Sequence, residues 1–273
     1  MSRRLGLHVA YAVRTNLPDD LQEDDLVNEI QLALLLFFVA FLPALYLSAW
    51  RVQRGDTPGL RPIVAFNALQ SVIARAIERG RAVHVSSGLG GITGDITADS
   101  LAGLSALEYL ANQSAAAGVP PIVSVADPTL LPLAQDMIRR PYGADQEAAG
   151  KAAREVRWIA PEPAAYAAGV LGVLGVEAID ANVMIGTFGD EYLLMGEAAH
   201  RKGVTQIGGA SDPGVVPFVF ITADHTLIGE EMYATGAYLA QKPWHVGSLL
   251  AQDFMRWIIV FVIVTLVLIR TLV

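Results

Sequence analysis

The chain contains no cysteine. Disulfides, thiolate catalysis, zinc ribbons and iron–sulfur clusters are therefore excluded. Charge is also scarce, with 17% charged residues against 53% hydrophobic ones. A mean hydropathy of +0.43 is high for a chain that lives wholly in water. The 19 basic and 27 acidic side chains leave a net charge of −8, the wrong sign for binding nucleic acid. No GxSxG elbow, no P-loop lysine and no two-histidine metal spacing occurs. No metal site, cofactor or catalytic residue is assigned on these grounds. The 273 residues are enough for one large domain with a sizeable core.

Much of the apolar excess sits towards the ends. Residues 30–50 read IQLALLLFFVAFLPALYLSAW without a charge. As a helix they span roughly 31 Å, the thickness of a bilayer core. Pro43 is tolerable there, and Tyr46 and Trp50 suit the interfacial belt. The chain closes on WIIVFVIVTLVLI (257–269). Counted over 254–273 this second stretch is just long enough to span, with Arg256 at one interface and Arg270 reaching the other. Two transmembrane helices flanking residues 55–248 are the expectation.

The basic residues near the spans set the orientation. Residues 1–29 end in an acidic run, Asp19, Asp20, Glu23, Asp24, Asp25 and Glu29, whereas Arg51, Arg54 and Arg61 follow the first span. The central domain is expected on the cytoplasmic face of the cell membrane and the acidic tail outside. The first stretch is too long, and starts too late, for a signal peptide. AAYAAGVLGVLGV (164–176) is too short to cross and reads as a buried helix.

Between the spans, short apolar runs alternate with helical patterns. Expected strands are 82–86, 122–126, 156–160, 181–185, 205–208 and 218–222. Expected helices are 66–79, 100–117, 128–139, 163–175, 190–202 and 226–240. This alternation predicts an α/β fold: a mainly parallel sheet with helices on both faces. Ligands of such sheets lie beyond the carboxyl ends of the strands. ADPTL (126–130) and ADHTL (223–227) each follow an apolar run, and LAQDMIR (133–139) resembles LAQDFMR (250–256). An internal repeat and the coincidence of common residues both remain open, since the two pairs are spaced differently.

The glycine-rich loop carries the first chemical signal. Ser87, Gly88, Gly90, Gly91 and Gly94 follow an expected strand and precede a helix. Glycines let backbone N–H groups curl around an anion, and the helix end adds partial positive charge. The last glycine spacing is one residue too long for a dinucleotide fingerprint. A turn needing positive φ explains the same glycines. Gly186 and Gly189 form another strand-to-helix turn. Asp127 and Asp224, each after an expected strand, are good helix caps. With His225 beside one of them, they could also hold Mg²⁺ or exchange protons if they share one rim. His84, mid-strand among apolar residues, reads as a satisfied core residue, and Ser211–Asp212 as an Asx-type turn.

The segments RPIVAFNAL, TADSLAGLSALEYLA, ADPTLLPLAQDMIR, GTFGDEYLLMGEAAHR, TADHTLIGEEMYATGAYLA and LLAQDFMR, with the glycine loop, resemble a family of uncharacterised bacterial membrane proteins, a domain of unknown function. The resemblance implies a membrane protein with a large extramembrane domain and no assigned activity.

Three functions follow as expectations. The first is a membrane-anchored α/β domain that binds a small anionic ligand or partner proteins, as a scaffold or sensor. Its partners would be the lipid bilayer and either further copies of itself, as a homo-oligomer, or other membrane proteins. The second is a metal-assisted hydrolase or transferase using Asp127, Asp224 and His225, which requires the two carboxylates within roughly 5 Å. The third, a pore or transporter component, needs several copies, because two spans enclose no path.

Overall fold

A computed structural model describes residues 23–56, 59–94 and 96–272. Most of the acidic tail, residues 1–22, lies outside the described residues, and 23–29 are helical. The chain forms two compact units. One is the central segment Thr57–Val246, and the other is built from the segments on either side of it.

In chain order the elements are α1 (Glu23–Gln53), α2 (Val64–Glu78), β1 (Ala82–Gly88), α3 (Thr97–Ala115), β2 (Ile122–Val125), α4 (Leu130–Arg139), α5 (Gln146–Arg154) and β3 (Val156–Trp158). There follow α6 (Pro163–Val176), β4 (Ile179–Thr187), α7 (Glu191–Arg201), β5 (Thr205–Ala210), α8 (Val216–Thr222), β6 (His225–Ile228), α9 (Glu230–Tyr233), a π-helical turn (Gly236–Ala240) and α10 (Pro243–Leu272).

The six strands form one sheet in the order β3-β2-β1-β4-β5-β6. Every neighbouring pair is parallel. The four inner strands, β2, β1, β4 and β5, carry near-continuous runs of buried residues because both faces are covered. On one face α6, α7 and α8 bury Tyr166, Val170, Leu174, Tyr192, Met195 and Val219 against Ile122, Met184 and Ala210. On the other, α2 and α3 lie on β1 and β4. Leu69, Val72, Ile73 and Ala76 of α2 recur at helical spacing and are all buried. Helix α3 sits unusually close to the sheet: a Cβ on Gly103 would fall 2.3 Å from the Ile185 carbonyl oxygen.

Arg75 and Arg79 at the end of α2 bond the buried Asp180 carboxylate at the start of β4, at 2.9 and 2.7 Å. Burial pushes this carboxyl up, but the bonds from Arg79 and Arg75 outweigh it and hold it below its ordinary value. Where the chain enters and leaves the central unit, Arg61 pairs with Glu231 and Phe66 stacks on Tyr238.

The expected strand FVFIT (218–222) is helical, within α8, and the strand is His225–Ile228. Pro217 opens the helix, and Val219 and Thr222 face inward while Phe220 and Ile221 are exposed. That is a helical period, which a run of five β-prone residues concealed. The expected helix 226–240 is correspondingly a strand, the short α9 and the π-helical turn. The two ADxTL segments thus occupy unlike places, one leading from a strand into a helix and the other from a helix into a strand. They do not mark equivalent halves of a repeat.

In the other unit, α1 and α10 each contain a stretch long and apolar enough to cross a membrane, Gln31–Gln53 and Pro243–Thr271. They touch where a Cβ on Gly247 would lie 2.7 Å from the Ala49 Cα.

Candidate functional site

The strand order reverses direction between β1 and β4: successive crossovers run outward through β2 and β3, then return to β4 and continue through β5 and β6. At such a switch point the loops leaving the two central strands diverge, and the carboxyl edge there is the common ligand position of open α/β sheets. Here it is made by the β1–α3 loop, the β4–α7 turn and the turn after β2.

The β1–α3 loop is pressed against its neighbours. Gly88 has φ +72°, and a Cβ there would overlap the Thr187 carbonyl. Leu89 N–H donates to that same carbonyl at 2.7 Å. A Cβ on Gly90 would meet Ser100 Oγ at 2.4 Å, and one on Gly91 would meet the Asp127 carboxylate at 2.7 Å. These glycines are what let the loop lie flat on β4 and on the β2 turn. Gly94, at φ +82°, has open space around it and serves the turn into α3.

Three polar groups in this stretch lack partners. Ser87 Oγ, at the end of β1, is buried and unbonded. Gly90 and Gly91 are buried, and their N–H groups meet no acceptor among the described residues. Buried orphan donors are uncommon in folded proteins, and each calls for an explanation. By contrast, Ile92 N–H reaches Thr129 Oγ1 at 3.3 Å, and Gly88 N–H reaches Ser86 Oγ at 3.3 Å.

Around the loop stand three carboxylates. Asp127 Oδ1 accepts from the Thr129 N–H at 2.7 Å and from its hydroxyl, so Asp127 orders the turn into α4. Its Oδ2 has no partner among the described residues and faces Gly91. Glu191, buried in the first turn of α7, accepts the Gly189 N–H at 2.8 Å. Asp99, buried in the first turn of α3, accepts hydroxyl bonds from Tyr233 at 2.6 Å, Ser211 at 2.7 Å and Thr187 at 3.4 Å. This cluster ties the ends of β4 and β5 and helix α9 to α3. Burial, and then the Asp99 bond, push the Tyr233 hydroxyl above its ordinary value.

Ser87, Gly88, Gly90, Gly91, Asp127 and Gly186 therefore come together. Gly186 contributes by lacking a side chain, since a Cβ there would lie 2.1 Å from the Ser87 carbonyl oxygen. Gly189 has its N–H taken by Glu191 and offers no donor. Asp224 and His225 are elsewhere. Asp224 precedes β6 and His225 opens it, instead of both following a strand, which puts them at the amino edge of an all-parallel sheet, opposite Asp127. Asp224 Oδ2 accepts the Gln206 N–H there at 2.8 Å. The shared rim on which the metal-assisted reading depends does not form. Among the described residues no cluster of three metal-ligating side chains occurs.

Asp99, Thr187 and Tyr233 are not singled out in the sequence, and Ser211 reads there only as part of a turn. The usable signal was Asp99 itself, an acid in the TADS segment that opens α3. The Asx turn expected at Ser211–Asp212 is present, with Asp212 accepting the Gly214 N–H at 2.8 Å, but the Ser211 hydroxyl goes to Asp99.

His84 lies in the core, as expected, within a polar ladder that crosses four strands. Ser124 donates to His84 Nε2 at 2.9 Å, and His84 Nδ1 donates to the Asn182 carbonyl oxygen at 2.7 Å. Asn182 donates to Gln206 at 3.3 Å, Gln206 to Thr222 at 3.1 Å, and Thr222 to the Phe218 carbonyl at 2.9 Å. Burial pushes the imidazole down to about 4, against the opposing bond from Asn182 and with a smaller push from Arg157. Neutral His84 is a structural member of the sheet, without access to a substrate.

A family model described as a domain of unknown function (DUF6754) matches residues 22–273. No curated protein and no solved structure matches the chain.

Proposed function

We propose, for a chain that belongs to the DUF6754 family, a membrane-anchored domain that binds a small anionic ligand at the switch point of its sheet. The terminal helices would hold the α/β unit on the cytoplasmic side of a bilayer, the side chosen by Arg51, Arg54 and Arg61. One observation carries the ligand reading: among the described residues, the buried Ser87 Oγ and the N–H groups of the buried residues Gly90 and Gly91 have no acceptor, and the three lie within five residues of one another along the chain. A ligand oxygen relieves the desolvation each of them bears, about 1–3 kcal/mol per group. Strand order and glycine loop put these donors where open α/β sheets receive ligands.

The test is thermal unfolding of the full chain in detergent, with inorganic phosphate and adenosine monophosphate as probes against chloride at matched ionic strength. A probe present at a hundred times its Kd adds about 2.7 kcal/mol, which raises Tm by about 5–10 °C. The variant Gly91→Ala, whose Cβ collides with Asp127, loses that rise. If neither probe moves Tm beyond the chloride control, the binding reading is wrong.

A further inference from the structure

We infer that the ligand carries hydroxyl groups beside its anionic group, as in a nucleotide or sugar phosphate, and that Asp127 is the residue that reads them. This rests on the switch-point reading above and adds the class of ligand.

The argument begins with a mismatch of charge. The donors of Gly90 and Gly91 call for an acceptor, yet the Asp127 carboxylate stands directly against Gly91, with Oδ2 2.7 Å from where a Cβ would be. A bare anion seated on those donors would meet a like charge within a few ångströms, which disfavours it. The conflict disappears if the group facing Asp127 is itself a donor. Asp127 is prepared for this. Oδ1 is held by the Thr129 N–H and hydroxyl, which fixes the plane of the carboxylate, while Oδ2 has no partner among the described residues. A ligand that satisfies both sides of this small site therefore presents an acceptor oxygen to the loop and a hydroxyl to Asp127, close together on one scaffold.

The sheet supports the same assignment independently. Asp127 follows β2, the strand next to β1 on the side away from the switch. An acid at the end of that strand, across from the glycine loop of β1, is placed to accept from a ribose diol when a nucleotide lies along the carboxyl edge.

The experiment compares affinities of the detergent-solubilised full chain for four probes: inorganic phosphate, ribose 5-phosphate, adenosine monophosphate and its 2′,3′-dideoxy analogue. A hydroxyl bonded to a carboxylate is worth about 10- to 100-fold in affinity. The expected result is that adenosine monophosphate binds that much more tightly than its dideoxy analogue. Asp127→Asn, whose side-chain oxygen can still accept from Thr129, brings the ratio of the two affinities to one, and the dideoxy affinity rises because the like charge is gone. Ribose 5-phosphate separates the sources: affinity equal to that of adenosine monophosphate assigns a sugar phosphate, and weaker affinity assigns a nucleotide. Equal binding of the diol and dideoxy forms overturns the inference on the unmodified protein alone, whatever the variant's stability, and leaves the anion reading standing. Binding of inorganic phosphate alone does the same. No binding of any probe removes both.

Discussion

At the scale of single residues, the clearest consequence of burial is the neutral imidazole of His84. It is fully enclosed, and its two nitrogens are engaged by Ser124 and Asn182. In the unfolded chain it titrates at its ordinary value of 6.5, and in the fold only at about 4. Above 6.5 both states are neutral and the residue adds no pH dependence. As pH falls from 6.5 towards 4, the unfolded state takes up a proton that the fold refuses, so stability falls. Below about 4 the loss levels off. At about 1.4 kcal/mol per pH unit, the loss is on the order of 3 kcal/mol. Urea unfolding between pH 7.5 and 4 should show this slope in the natural chain and a shallower one in His84→Gln. Parallel slopes would mean that other groups govern the acid sensitivity.

The ladder through His84 also shows how far one residue could be read in isolation. A lone histidine among valines is most economically a bonded core residue, and that much was legible in AVHVS. Its partners were not, because Asn182 and Gln206 are brought beside it only by the pairing of β1 with β4 and of β4 with β5. Asp99 illustrates the same limit. Its three hydroxyl donors are 88, 112 and 134 residues away along the chain.

At the scale of elements, the position of α3 governs the candidate site, because its first turn carries Asp99 and its approach to β4 depends on Gly103. A Cβ at 103 must displace the helix or the Ile185 carbonyl. Gly103→Ala should therefore destabilise the full chain by about 1–3 kcal/mol, despite alanine's better helix propensity. Unfolding in urea would check the sign, since a helix limited by propensity would be stabilised instead. Apart from α5 (Gln146–Arg154), which no expected element covers, the strands and helices up to α7 follow from sequence periodicity and breaker residues to within a few positions. The segment after β5 does not. FVFIT carries the composition of a strand and the burial of a helix, and only packing on α7 decides between them. That one exchange moves Asp224 and His225 from the carboxyl edge to the amino edge and dissolves the two-carboxylate site.

At the scale of the whole molecule, the two terminal helices present apolar side chains outward along most of their length, from Leu32 to Trp50 and from Phe254 to Ile269. Side chains so exposed in water would oppose folding, a cost that the proposed bilayer anchoring would remove. We expect the full chain to remain with the membrane fraction after cells are broken, in high salt as well as low. We also expect a reporter within residues 59–246 to report a cytoplasmic address. Recovery of the chain in the aqueous fraction without detergent would contradict the anchoring, and an external reporter would reverse the orientation alone.

The sequence by itself determined the α/β class, the two long apolar helices and the glycine loop, because each is written in local features: hydrophobic period, run length, and glycines between a strand and a helix. The tertiary structure alone decided the strand order, the rim on which each acidic residue stands, and the orphaned donors beside Asp127. Those depend on which strands pair, and parallel pairing joins residues far apart in the chain through crossovers whose order no local pattern records.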